Sequence, residues 1–182
     1  TDIAIVSMNG VVTSHSIKIA GNKIDRSIIR YMQNKYKMLI GPRTAENIKK
    51  QLANLYDPSD EMTMIVKGRN LIRGLPEQVM LSETELFEAI EDDTFAIIEA
   101  IRKVLEDTPP ELVGDIYDNG LLLTGGGALL GGLPMLIKRT LGVNCNIAKD
   151  AVNCVAKGTC KAFGKVTTLL DGFDNFQLYK YR

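Results

Sequence analysis

The sequence is poor in the residues that build metal and redox centres. Among 182 residues it has three cysteines, Cys145, Cys154 and Cys160, and one histidine, His15. No two cysteines form a C-x-x-C pair, so a zinc site lacks ligands, and the thiols are expected buried or half-buried in a reducing compartment. An excess of one charge is also lacking: 22 Lys plus Arg face 22 Asp plus Glu, for a formal net charge of zero. That balance excludes a generic nucleic-acid binder, which needs a basic excess to neutralise phosphates. No run of 18 apolar residues and no signal peptide occurs, so nothing in the sequence reads as a membrane span or an export signal. An initiator methionine is lacking too. Thr1 comes first and the next residues already read as a buried strand, so the chain is expected to be a fragment whose N-terminal part lies elsewhere. What is present, 45% apolar and 24% charged residues, is a globular composition with enough apolar surface for a real core. By length it makes one generous domain or two small lobes.

Periodicity divides the chain. DIAIVSM at 2–8 and VVTSHSIKI at 11–19 flank Asn9-Gly10 and predict a hairpin with a type I′ turn. Ile24, Ile28, Tyr31, Met32 and Leu39 recur at helical spacing, and Gly41-Pro42 is expected to end that helix. Thr44 is the expected cap of a second helix over 45–55, and Asp57-Pro58-Ser59-Asp60 reads as a turn. Residues 62–67 and 78–81 form a second strand pair across a long connection. Ser82 to Glu85 is a capping box opening a helix of about five to seven turns, with a stripe of Leu86, Ile90, Ile97, Ile101 and Val104. Pro109-Pro110 stops it, and a short helix over 111–118 follows. The rest reads as strand 121–123, a glycine turn, helix 129–141, strand 143–148 and helix 151–163. This is an α/β signature in which the C-terminal third adds to a sheet covered by helices.

Thr124-Gly125-Gly126-Gly127-Ala128 is the segment with the makings of a ligand site. Three glycines would cost about 1 kcal/mol each against alanine in a helix, so something must require them. Without Cβ atoms the backbone can approach a flat or anionic group, and the start of the next helix offers unpaired N–H donors. That geometry suits a nucleotide; the plain alternative is a tight strand-to-helix connection with no ligand. The segment is neither a Walker A loop nor a G-x-G-x-x-G fingerprint.

The run GLLLTGGGALLGGLPMLIKRTLGVNCNIAKDAVNCVAKGTCKAF at 120–163 resembles the C-terminal region of the MreB family, the bacterial actin homologues that determine cell shape. The resemblance continues, in one colinear order, through VVTSHSIKIAGNKIDRSIIRYMQNKYKMLIGPRTAENIK at 11–49, VKGRNLIRGLP at 66–76 and TPPEL at 108–112. It implies an α/β, actin-like ATPase fold of the ribonuclease H-like kind, in which two lobes close on ATP and magnesium and protomers stack head to tail. This chain would be the second lobe, with residues 1–21 and 83–182 as its nucleotide-binding subdomain and 22–82 as an inserted α+β subdomain. Thr1 and Asp2 match the end of the family's Asp-x-Gly-Gly-Gly-Thr phosphate turn, and the water-activating acid belongs to the first lobe. No catalytic residue is therefore expected in this chain, and the fragment alone is not expected to hydrolyse ATP.

By the same resemblance, Gly125, Gly126, Gly127 and Ala128 match the loop that lies against ribose and adenine. Glu46 and Lys49 match the helix that closes over the adenosine, and Gly21 matches a glycine near the ribose. Thr1 would reach phosphate or magnesium with the preceding turn restored. The rival reading of Glu46 and Lys49 is a solvated i,i+3 salt pair of little worth. The resemblance implies a slow ATPase that uses hydrolysis as an assembly switch, forms filaments with itself and lies in the cytoplasm against the inner face of the cell membrane. Membrane contact would come through the first lobe, and no nucleic-acid partner is expected. Two other classes share the fold: a sugar kinase or Hsp70-like chaperone, and a scaffold that does not hydrolyse. The aromatic tail, with Phe173, Phe176, Tyr179 and Tyr181, is expected to pack on the lobe, contact the next protomer or be partly disordered.

Overall fold

The computed structural model describes residues 1–8 and 10–164. Two strands, β1 (Asp2–Ser7) and β2 (Gly10–Ser16), pair antiparallel as expected, with a register shift between Ile5 and Val6, but β1 is alternately exposed and half-buried rather than buried. The turn type expected at Asn9 and the role expected for the aromatic tail lie outside the described residues.

Helix α1 (Gly21–Tyr36) buries Ile24, Ile28 and Met32. It ends earlier than Gly41-Pro42 because Lys37 takes the left-handed conformation, φ 50°, and its N–H closes on Met32 O. That exit frees Met38 and Leu39 to form a short strand, β3 (Met38–Leu39), which buries Met38 completely. Gly41, rather than Thr44, is the N-cap of α2 (Pro42–Leu52), with Pro42 in the first turn, where its missing N–H costs nothing.

β3 pairs antiparallel with β4 (Thr63–Asn70), which pairs antiparallel with β5 (Pro76–Ser82). The connection is shorter than expected, residues 71–75, because Asn70 organises it. Its Oδ1 accepts from the N–H groups of Ile72 and Arg73, each at 2.8 Å, and its Nδ2 donates to Glu77.

Ser82 caps α3 (Glu83–Glu106) with a complete capping box. Ser82 Oγ accepts from Glu85 N at 3.3 Å, and Ser82 N donates to Glu85 Oε2 at 3.1 Å. The stripe is as expected except that Ile98 is fully buried and Ile97 only half-buried. The same face buries Asp93 and Thr94, which sequence reasoning left out. Thr94 donates to Ile90 O at 2.9 Å, while Asp93 accepts from Ser27 Oγ and faces Lys23 Nζ at 3.5 Å. Both buried polar groups are thereby satisfied.

Next come α4 (Pro110–Asn119), β6 (Leu121–Leu123), α5 (Leu133–Leu141), β7 (Cys145–Ile147) and α6 (Cys154–Phe163), with 3₁₀ turns at Gly126–Leu129 and Ala151–Asn153. β6 and β7 pair in parallel. They do not extend the sheet of β1 and β2 among the described residues, a departure from the expected single sheet. Both pairs lean instead on one buried cluster that runs from Ile24 through Ile48, Leu86 and Ile98 to Ile137, with Ile3, Leu121 and Leu123 packed against it. The thiol expectation needs one correction: Cys145 and Cys154 are half-buried, but Cys160 is exposed because α6 buries none of its side chains among the described residues. No helix among the described residues is long and apolar enough to cross a membrane.

Candidate functional site

The turn after β6 is held by its backbone. Gly125, at φ 80°, donates its N–H to Ala151 O at 2.8 Å and accepts from Ala128 N at 3.3 Å. Only glycine enters that conformation freely, which accounts for Gly125. Conformation does not explain Gly126 or Gly127. Both are exposed, and a Cβ built on Gly125, Gly126 or Gly127 would meet no atom within 4 Å. Ala128 is the anchor, only 4% exposed. Among the described residues the N–H groups of Gly126 and Gly127 have no backbone acceptor. The result is a Cβ-free 3₁₀ turn with backbone donors available, which suits a planar or anionic group.

Residues 129–141 were expected to be one helix, but α5 starts only at Leu133 because Gly131 and Gly132 are engaged elsewhere. Gly131 forms a parallel bridge with Asn54, and its carbonyl accepts from Leu55 N at 2.8 Å. A Cβ at Gly131 would lie 2.4 Å from Ala53 O, and one at Gly132, φ 75°, would lie 2.5 Å from Tyr56 N. The exit of the glycine turn is thus joined to the chain that leaves α2.

Lys49 on α2 meets Gly21 directly. Its Nζ donates to Gly21 O at 3.2 Å and stands 2.8 Å from Asp25 Oδ1, with the two side chains only 12% and 14% exposed. Asp25 Oδ1 has no hydrogen-bond partner of good angle among the described residues, so the approach to Lys49 is a charge contact rather than a directional bond. Glu46 does not pair with Lys49. It meets Lys50 at 2.6 Å, a surface pair one turn on, and the Lys50 ammonium holds its carboxyl below the usual range. The i,i+3 pair of the rival reading is therefore absent: Lys49 turns inward to Asp25, while Glu46 faces solvent beside Lys50. Thr1 lies along residues 17–19. Its carbonyl accepts from Ile17 N at 2.9 Å and its hydroxyl donates to Ile19 O, two residues before Gly21.

The structure thus brings Lys49 and Gly21 into contact, sets Thr1 beside the segment 17–19 that leads to Gly21, and ties the turn 125–128 to α2 through Gly131. Sequence reasoning missed Asp25, Asn54, Gly131 and Gly132. Gly131-Gly132 was a visible signal, since paired glycines do not belong in the interior of a helix.

Comparison with known proteins decides what this arrangement resembles. The family described as MreB/Mbl protein matches residues 1–171. The chain belongs to the MreB/Mbl family. It is 44% identical over 159 residues to the cell shape-determining protein Mbl of Bacillus subtilis, covering 87% of this chain and 48% of that protein. It is 43% identical over 163 residues to the cell shape-determining protein MreB of Escherichia coli K12, covering 89% and 47%. The chain therefore spans about half the length of these MreB/Mbl relatives.

Among solved structures, MreB5 of Spiroplasma citri bound to ADP matches with a TM-score of 0.84 and 34% identity, over 93% of this chain and 52% of that one. The same protein bound to AMPPNP matches with a TM-score of 0.85 over 94% and 51%. A MamK double helical filament matches at 0.67 with 21% identity, over 83% of this chain and 47% of that one, a likeness of fold alone. The MreB/Mbl chain has the actin-like fold.

Proposed function

We propose that this chain is the nucleotide-binding second lobe of a filament-forming, actin-like protein that controls cell shape. Residues 1–21 and 83–182 form its nucleotide-binding subdomain and 22–82 the inserted one. The observation that carries the reading is the likeness, at 34% identity over nearly the whole chain, to MreB5 bound to ADP and to AMPPNP. The Cβ-free strip at Gly125–Gly127 supports it.

The residues fit an adenine nucleotide. Gly125, Gly126 and Gly127 offer backbone without side chains, and Ala128 pins the strip to the core. Lys49 and Gly21 stand together on the α1–α2 side, with Glu46 one turn back along α2 and Thr1 at the start of the strand. A bound ATP would supply the phosphoanhydride whose cleavage switches the assembly; the lobe's own part is to bind and orient. Magnesium would arrive with the phosphates, which supply most of its oxygen ligands together with water. No group of three acidic, His or Cys side chains suited to a metal occurs among the described residues.

The partners proposed are further copies of the same protein, stacked head to tail, and the inner face of the cell membrane, reached through a segment outside this chain. Family membership favours this over a sugar kinase or an Hsp70-like chaperone. A scaffold that does not hydrolyse is separated by phosphate release: a rate equal to that of ATP in buffer removes the ATPase label. Sedimentation of the full-length protein with ATP and magnesium tests the assembly. Nucleotide-dependent pelleting is expected, and none at any concentration, with or without lipid vesicles, would reject the filament reading.

A further inference from the structure

The geometry points to Gly131, Gly132 and Asn54 as positioning residues that hold the two halves of the nucleotide site in register; this inference rests on the nucleotide reading above. The halves are the glycine strip on the β6 side and Lys49 with Gly21 on the α2 side. They are linked by a short relay of backbone hydrogen bonds. Ala128 N donates to Gly125 O at 3.3 Å and Leu130 N to Gly127 O at 3.1 Å, so hydrogen bonds run on from the glycines to Leu130, the residue before Gly131. Gly131 O then accepts from Leu55 N at 2.8 Å, and Ala53 N donates to Lys49 O at 3.2 Å. Lys49 is one helical turn from this junction.

The junction is close-fitting. Cβ atoms on Gly131 and Gly132 would stand only 2.4 Å from Ala53 O and 2.5 Å from Tyr56 N. Leu55, between them in sequence, is 1% exposed and seats the junction in the core. Asn54 closes it from the other side: Oδ1 accepts from Tyr56 N at 3.2 Å and Nδ2 donates to Glu83 Oε2 at 3.1 Å. Glu83 is the first residue of α3 and also accepts from Ser59 N at 3.1 Å. The loop after α2 is thereby clamped between the glycine strip's exit and the capped end of α3. None of these residues need touch the nucleotide. Their effect is to fix how far Lys49 stands from the strip, a quantity to which binding is sensitive.

The experiment is titration of the full-length protein with a fluorescent ATP analogue, comparing wild type, Gly131→Ala, Asn54→Ala, Lys49→Ala and the doubles with Lys49→Ala. Gly131→Ala is expected to weaken binding about tenfold and Asn54→Ala about threefold, the range over which residues that do not touch a ligand modulate its binding. A double-mutant cycle separates positioning from mere destabilisation. With Lys49 already removed, the clasp substitutions should cost less than about twofold in affinity, while their losses in melting temperature still add. If Gly131→Ala does not fold, Asn54→Ala carries the test. Clasp variants that fold and bind like wild type, or affinity losses that multiply independently of Lys49, overturn the inference and leave the nucleotide reading standing. A wild type that binds no analogue overturns both.

Discussion

Beside Gly125, Gly126 and Gly127 a methyl group would meet nothing within 4 Å, whereas beside Gly131 and Gly132 it would press on the backbone of Ala53 and Tyr56. The two groups lie within eight residues of each other and look alike in the sequence. The first is glycine where packing does not ask for it, beyond the positive φ of Gly125. The second is glycine because two chain segments pass too close for any side chain. Glycine with room around it is what a close-approaching ligand leaves behind; glycine without room is a structural joint.

The contrast breaks first at the joint. Gly132→Ala imposes a side chain at φ 75° and a contact with backbone, and is expected to lower stability by about 2–4 kcal/mol, read by urea unfolding. A loss no larger than that of Gly126→Ala would erase the distinction.

Next is Lys49→Ala, which strands the half-buried Asp25 carboxylate and is expected to cost about 1–3 kcal/mol. Adding Asp25→Asn should recover part of the loss. A surface pair would show neither effect.

The side-chain staple between α1 and α3 provides a region held without glycine. Tyr36 OH donates to Glu85 Oε1 at 2.5 Å, and Lys35 Nζ reaches the same oxygen at 2.9 Å. Burial, then the Glu85 hydrogen bond, pushes Tyr36 up to about 12 from 10.0. The folded state holds that proton more tightly than the unfolded chain, so this stabilisation is complete below pH 10.0 and is lost as pH rises towards 12. At Glu85, burial pushes the carboxyl up, but hydrogen bonds from Tyr36, Lys35 and Ser82 together bring it below 4.5. Its contribution is present above pH 4.5 and is lost as pH falls through the lowered value. Tyr36→Phe should flatten the alkaline limb of a stability-against-pH curve. It should leave nucleotide affinity untouched, which a clasp variant should not.

Smaller again, Gly126→Ala should change stability by less than about 1 kcal/mol, since space is available and φ is not positive, yet weaken ATP binding several-fold. Glu46→Gln should leave the melting temperature where it is, because the Lys50 pair is solvated. Any loss of affinity there would then report contact with the nucleotide.

Most helices and strands were legible because their signals are local: the stripe of α3, the capping box at Ser82 and the alternation of β1 and β2 all depend on near neighbours. The misses are long-range. The early end of α1 at Lys37 goes with the pairing of Met38 and Leu39 to Asn70 and Arg69, and the late start of α5 with the approach of Ala53–Tyr56. The inward turn of Lys49 depends on Asp25, 24 positions earlier. At the candidate site, the resemblance supplied the residues and the structure supplied their grouping. A repeat glycine pair announces that something is close, but only the fold says whether it is a ligand or another stretch of backbone.

The turn at 125–128 and the Lys49–Gly21 pair are proposed to face one bound adenine nucleotide. Hydrogen–deuterium exchange of the full-length protein with and without ATP tests it most directly. Slowed exchange at the amides of Gly126 and Gly127 and around Gly21, with the outer strands β4 and β5 unchanged, is the predicted result. Binding that leaves those amides exchanging as in the free protein would contradict it.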